Sequence, residues 1–379
     1  MMISIKEHKL ILISLYLLFI LGCFQNLTVI NFGGFGLKAV HLFSLLFLPL
    51  LWKKHVLKLP DKIVSLFICF ILVHALVMLP IFGVSSLVLN YLYGFYLLLI
   101  VVNIGCDFSK EDWLVLFRHS ALLIIFFVWV KNLLQISIIL EFLKAPLHHP
   151  MVSTLFGGGV NIEASFLSLF CFFFNFSGIG IVYFVLCVIT SAIYMSRAAI
   201  LILVIYFLYN ILFVAKSKKF GVYIIILSVI LMPLLFGEQV EYLISRFANI
   251  GNEPGSIGRL NMYIEVPSVL FSYPLGVGMG NCLDVIRNLS GIPFYENNLH
   301  NLYLQMFVDL GILGGCLYLF ICTYFVYKNF TKLKSNFMLA FLYAYLIISL
   351  IQFRGGDALV FFVLGAYIAS DNNKIGEYK

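Results

Sequence analysis

Apolar runs long enough to cross a lipid bilayer recur along almost the whole chain, separated by short polar turns. A run of about 20 such residues matches the hydrocarbon thickness of a bilayer, where backbone groups find no water and close their hydrogen bonds within a helix. Repetition of that pattern excludes a water-soluble domain and leaves an all-α, polytopic membrane helical bundle. Composition agrees, with 63% of the 379 residues hydrophobic and 11% charged. The net charge of +7 is carried largely by short lysine clusters between apolar runs. Such clusters mark topology rather than nucleic-acid binding. The eight cysteines lie mostly in apolar runs and form no CxxC pair, which points to neither a disulfide framework nor a zinc site. No small-residue cleavage site follows the first run, so no cleavable signal peptide is expected.

Twelve spans are expected, near 10–24, 36–52, 63–82, 85–105, 112–140, 161–176, 180–195, 197–215, 220–236, 300–327, 337–353 and 358–369. Residues 1–379 then form a single transmembrane bundle, and 238–299 is a large polar loop within it. With the N- and C-termini in the cytoplasm, the lysine clusters at 53–58, 216–219 and 328–334 all fall on the cytoplasmic side. Of the six arginines, Arg197, Arg246, Arg259, Arg287 and Arg354 then lie outside, and Arg118 lies within the fifth span. Lysine supplies all that topology requires. Guanidinium groups placed against the positive-inside trend fit a ligand that takes a planar, two-pronged donor, such as phosphate or carboxylate. Pairing with acids in the same loops is the alternative, strongest for Arg246 and Arg287.

The polar loop ends at His300, which opens the tenth span where water meets the bilayer. Imidazole there is suited to accept a proton from a hydroxyl, and an interfacial helix cap is the plainer reading. Tyr303, Leu304 and Phe307 share its helical face and offer a stacking surface for a sugar. Asp309 lies deeper on the opposite face and reads as structural, because an unpaired carboxylate at that depth is costly. Gly311, Gly314 and Gly315 read as close-packing positions. Arg259 lies in an amphipathic segment expected to end at Pro267, and Arg197 starts the eighth span. Glu163, just inside the sixth span, is a second intramembrane acid that either forms an ion pair or orients an acceptor. Gly276, Gly278 and Gly280 lack a flanking strand and a following Lys-Ser/Thr, so they form no nucleotide loop. His148 and His149 have no third clustered ligand, and no metal is expected.

Three motifs resemble the bacterial O-antigen polymerase/ligase family. They are Ser196-Arg197-Ala198-Ala199, Gly258-Arg259 ahead of the glycine phrase 274–280, and His300-Asn301 followed by Leu304-Gln305, then Asp309, Gly311 and Gly314. The match covers roughly 157–315, and Asp309 stands where glutamate is common. The resemblance implies transfer of a glycan from undecaprenyl diphosphate at the periplasmic face of the bacterial inner membrane, without cofactor, metal or nucleotide. Arg197, Arg259 and Arg354 would hold the diphosphate, and His300 would orient or deprotonate the attacking hydroxyl. Glu163, Asn301 and Tyr303 are candidates for orienting the acceptor. A chain-length regulator protein and the bilayer are the expected partners. A polymerase extending another lipid-linked repeat unit leads; a ligase delivering to lipid A-core and a lipid-linked oligosaccharide flippase are the alternatives.

Overall fold

The computed structural model describes residues 5–25, 27–32, 35–52, 57–58, 62–83, 85–144, 152–176, 178–214, 245, 254–291, 298–353 and 355–376. The protein is an all-α integral membrane protein; among the described residues its strands are confined to a two-stranded hairpin, Thr28–Phe32 paired with Phe35–Lys38. Among the described residues, five helical segments, Lys62–Phe82, Ser86–Asp107, Lys110–Leu134, Arg197–Val214 and Leu302–Ser335, are long and apolar enough to cross a membrane. Shorter apolar helices fill the expected sixth, seventh, eleventh and twelfth spans. The expected span 220–236 and the lysine cluster 216–219 lie outside the described residues. The expected second span is shortened to Ala39–Trp52, which begins behind the hairpin and tightens to a 3-10 turn at Leu45–Phe47. Strand-forming residues around the glycines at 33, 34 and 36 compete there with helix.

The chain divides into two compact units. The first comprises Met1–Val29, Glu111–Ile250 and Lys332–Tyr345. Its core is aromatic: Phe117 and Phe173 stack at 4.6 Å, Phe173 meets Phe341 at 5.3 Å, and Phe19 packs edge-on against Phe117 at 5.1 Å. Offset and edge contacts of this kind suit rings whose faces are negative and whose edges are positive. Arg118, an intramembrane cation, donates from Nε to the Phe173 carbonyl at 2.8 Å. It closes the carboxyl end of the 160–173 helix, where orphaned carbonyls concentrate negative charge.

The second unit comprises Ile30–Lys110, Gly251–Thr331 and Leu346–Lys379. Here α5 (Ser86–Ile104) packs along α15 (Ala358–Gly376), with Phe361 seated over Gly94 and Val101 over Gly365. Helix α11 (Pro254–Ser272) runs through Pro267, so it extends beyond the end expected from the sequence. The long helix α13 (Leu302–Asn329) is not continuous. At Gly311 the backbone leaves the helical region, with φ 73° and ψ −177°.

A break inside a membrane helix strands backbone donors and acceptors, which must find partners in protein. The glycine phrase supplies them. Val277 and Gly278 donate to the carbonyls of Val308 and Asp309 at 3.1 and 3.0 Å, and Ile312 donates to Pro274 at 3.0 Å. Gly276 and Gly311 lie where the two backbones cross. A Cβ on Gly276 would strike the Gly311 nitrogen and the Asp309 carbonyl oxygen, and one on Gly311 would strike Pro274 and Leu275 backbone. Gly311→Ala is therefore expected to destabilise by at least the ~1–3 kcal/mol of a forced backbone conformation. Thermal unfolding in detergent measures it, and an unchanged melting temperature would refute the crossing.

Candidate functional site

Three neighbours fix the turn that carries His300. Asn301 caps α13, its side-chain oxygen accepting from the Leu304 N–H at 3.0 Å. Asn298 accepts the His300 N–H at 2.7 Å, and the Leu302 N–H donates to the Ser349 carbonyl at 2.8 Å. Helix α13 thus starts at Leu302, two residues after the expected start. His300 itself has φ 53°, in the left-handed region. That conformation costs a non-glycine residue roughly 1–2 kcal/mol. The surrounding bonds hold it there, between fully buried Leu299 and Leu302. The result is a half-buried imidazole whose backbone has little freedom to move.

Leu299 belongs to a packed cluster with Met262, Val266 and Val269 of α11, Ile286 of α12 (Cys282–Ser290), and Val308. Arg259 lies one helical turn before Met262, on the same stripe of α11, and its Nε is shielded from solvent. The cluster therefore fixes two sequence-predicted residues within one unit: His300 next to Leu299, and Arg259 on the helix that packs against Leu299.

Below the turn, Asp309 is fully buried. Its Oδ2 accepts from the Gly280 N–H at 3.0 Å and the Gln305 amide at 3.3 Å. The side chain holds the amino-terminal approach of α12 to the broken helix, which gives this acid a structural partner. Burial, then the nearby Asp309 carboxylate, pushes the Cys282 thiol well above its usual range. Two further bonds tie the glycine phrase to α4 (Lys62–Phe82) and α5. The His74 Nε2 donates to the Leu275 carbonyl at 2.8 Å, and the Ser85 hydroxyl donates to the Met279 carbonyl.

The remaining sequence-predicted residues have these places. The Tyr303 hydroxyl donates to the Leu346 carbonyl at 2.9 Å, so any contact with a sugar falls to the ring. Arg287 pairs with Asp284 at 3.0 Å on an exposed helix face, which is the acid pairing anticipated for it. Arg354, Arg246, His148 and His149 lie outside the described residues. Among the described residues no three His, Cys, Asp or Glu side chains cluster.

Arg197 and Glu163 belong to the first unit. Arg197 is the first residue of α10 (Arg197–Tyr209), half-buried, behind Ser196, whose hydroxyl caps the helix by accepting from the Ala199 N–H. Glu163 is fully buried in α8 (Val160–Phe170) and pairs with Lys131 at 2.5 Å. Lys131 also donates to the Tyr194 hydroxyl at 2.8 Å, and that hydroxyl lies 2.8 Å from Glu163 and 2.7 Å from Asn132. The second Glu163 oxygen accepts from the Leu155 N–H at 2.6 Å.

Glu163 thus forms an ion pair, with Lys131, and both carboxylate oxygens are occupied. Sequence reasoning missed Lys131 and Tyr194. A lysine deep inside the fifth apolar run, matched by the single acid of the sixth, was the available signal. Tyr194 also anchors the turn at Met195, φ 51°, that leads to Ser196 and Arg197.

Residues 163–319 match the family model described as O-antigen ligase. The matched stretch begins at Glu163, includes Arg197, Arg259 and His300, and ends within α13. No curated protein matches the chain.

Proposed function

We propose that this chain, which belongs to the O-antigen polymerase/ligase family, is the polymerase of a surface polysaccharide. It transfers a glycan from undecaprenyl diphosphate to the non-reducing end of another lipid-linked repeat unit, at the outer face of the bacterial inner membrane. The observation that carries this reading is the His300 turn, an imidazole held in a constrained backbone beside the helix that bears Arg259.

In the reaction, the acceptor hydroxyl oxygen attacks the anomeric carbon. The bond from that carbon to the diphosphate oxygen breaks, its electron pair stays on the diphosphate, and the hydroxyl proton passes to His300. One displacement by one nucleophile inverts the anomeric centre. Arg259 stabilises the charge that grows on the leaving diphosphate, where a fixed cation acts most strongly. The same role is proposed for Arg197 and Arg354 on the chemistry of the guanidinium alone. Asn301 fixes the His300 turn, Tyr303 offers its ring to the acceptor, and Glu163 acts only through the fold.

A ligase that delivers the glycan to lipid A-core is the second reading, favoured by the description of the matching family. Lipopolysaccharide from a deletion strain separates the two. Loss of a polymerase leaves single repeat units on the lipid core, which is the expected result. Loss of a ligase leaves none there, and loss of a flippase strands the lipid-linked unit on the cytoplasmic side. Full-length ladders in that strain would rule out a required role in chain growth.

A further inference from the structure

Helix α11 has its polarity arranged in reverse for a helix bathed in water. Successive residues turn by 100°, so Ile257, Leu260, Ile264 and Phe271 fall on one side of it. These four are exposed, Leu260 by 57%, Ile264 by 62% and Phe271 by 93%. Pro267 and Ser268 complete the exposed face. The opposite face, Met262, Val266 and Val269, is buried in the cluster that holds Leu299. The charged and amide side chains Arg259, Asn261 and Glu265 sit half-buried, away from the middle of the exposed face. A helix covered by water on its outer side places its charges there. This one places aliphatic and aromatic groups there, as helices lying in a bilayer surface do.

The exposed face also continues toward the exposed apolar side of a helix long and apolar enough to cross a membrane. Directly after α11, Tyr273 packs edge-on against Phe82 at 6.2 Å, and Leu275 is bonded to His74. Both partners belong to α4, a span whose Val73, Leu76, Val77 and Ile81 are exposed along one side. Phe271 and Leu275, on either side of Tyr273, are exposed in turn.

We propose that α11 lies in the membrane surface, with its Ile257–Leu260–Ile264–Phe271 side among lipid chains and Arg259 held at headgroup depth. Combined with the assignment of Arg259 above, this names the approach of the substrate. A lipid-linked diphosphate moving within the leaflet meets the guanidinium without leaving the bilayer. The loop helix is then part of the lipid-facing wall rather than a cap standing in solvent.

Nitroxide collision measurements on the full chain in liposomes test this. The background carries C69S, C316S and C322S, which remove the cysteines that are not buried. Labels are placed at L260C, I264C and F271C, with E265C as the flank control. Collision with molecular oxygen is expected to exceed collision with a water-soluble nickel chelate at 260, 264 and 271, and by less at 265. Chelate collisions dominating at the three positions would overturn the proposal by showing water there. Shielding from both reagents would overturn it by showing that protein, a partner or a second copy, covers the face. The measurement needs no sugar substrate. A chain that polymerises normally with R259A but passes the collision test would lose the role of Arg259 and keep its lipid-facing helix.

Discussion

His300→Asn is expected to slow glycan transfer about 10²–10⁴-fold, the usual worth of a positioned general base. Asparagine is the informative replacement because the native backbone is left-handed at this residue. Asparagine tolerates that conformation, whereas alanine adds a backbone penalty unrelated to chemistry. The bonds from Asn298, Asn301 and Ser349 remain in place, since they use backbone groups of the turn rather than the imidazole. Chain growth on a lipid-linked repeat unit, followed with purified protein, gives the rate. Membrane insertion and melting temperature should match the wild type. Growth at the wild-type rate would remove His300 from the reaction.

Lys131→Met should have the largest effect on stability, a loss of about 3–5 kcal/mol. The substitution preserves volume but leaves the Glu163 carboxylate fully buried without its cation. Hydrogen bonds from Leu155 and the Tyr194 hydroxyl persist, yet they do not neutralise a charge in a low-dielectric interior. The double variant K131M/E163Q removes both charges while the Gln oxygen still accepts from backbone. It should recover more than half of the loss, since the chief cost is an unpaired charge rather than a missing contact. Denaturation in detergent, followed by tryptophan fluorescence, distinguishes the two variants. Equal stability of the single and double variants would mean that the pair is not the anchor of this unit.

The sequence made the membrane bundle legible because twenty-residue apolar runs admit few other structures. The capped start of α13 was legible to within two residues, from a histidine and an asparagine at the head of an apolar run. Three features were not. Lys131 vanishes in any average over its window, and only its partner Glu163, in a separate run, gives it meaning. Gly311 read as a packing residue, as glycines in membrane helices usually are. Its actual role, a positive-φ break, depends on the glycine phrase 35 residues earlier in the chain and therefore on tertiary contact. The exposed apolar face of α11 was hidden because a period of 3.6 reports two faces without saying which one meets protein. In the candidate site, chemistry was easier to read than attachment. Tyr303 stood out as an aromatic at the membrane surface, but the Leu346 carbonyl that occupies its hydroxyl lies in another span.

The interruption at Gly311 also reverses the chain. As one rod, the 28 residues of α13 would measure about 42 Å, well beyond a hydrocarbon layer of about 30 Å. The portion past the interruption, 312–329, is about 27 Å long and can traverse that layer unaided. The preceding portion, 302–310, about 14 Å long, turns back alongside it: the Tyr303 and Tyr318 rings lie 6.0 Å apart, and a Cβ on Gly315 would strike Phe307. The interruption thus brings the head of α13, with the turn that carries His300, back beside the body of the spanning portion rather than stacking it on the end.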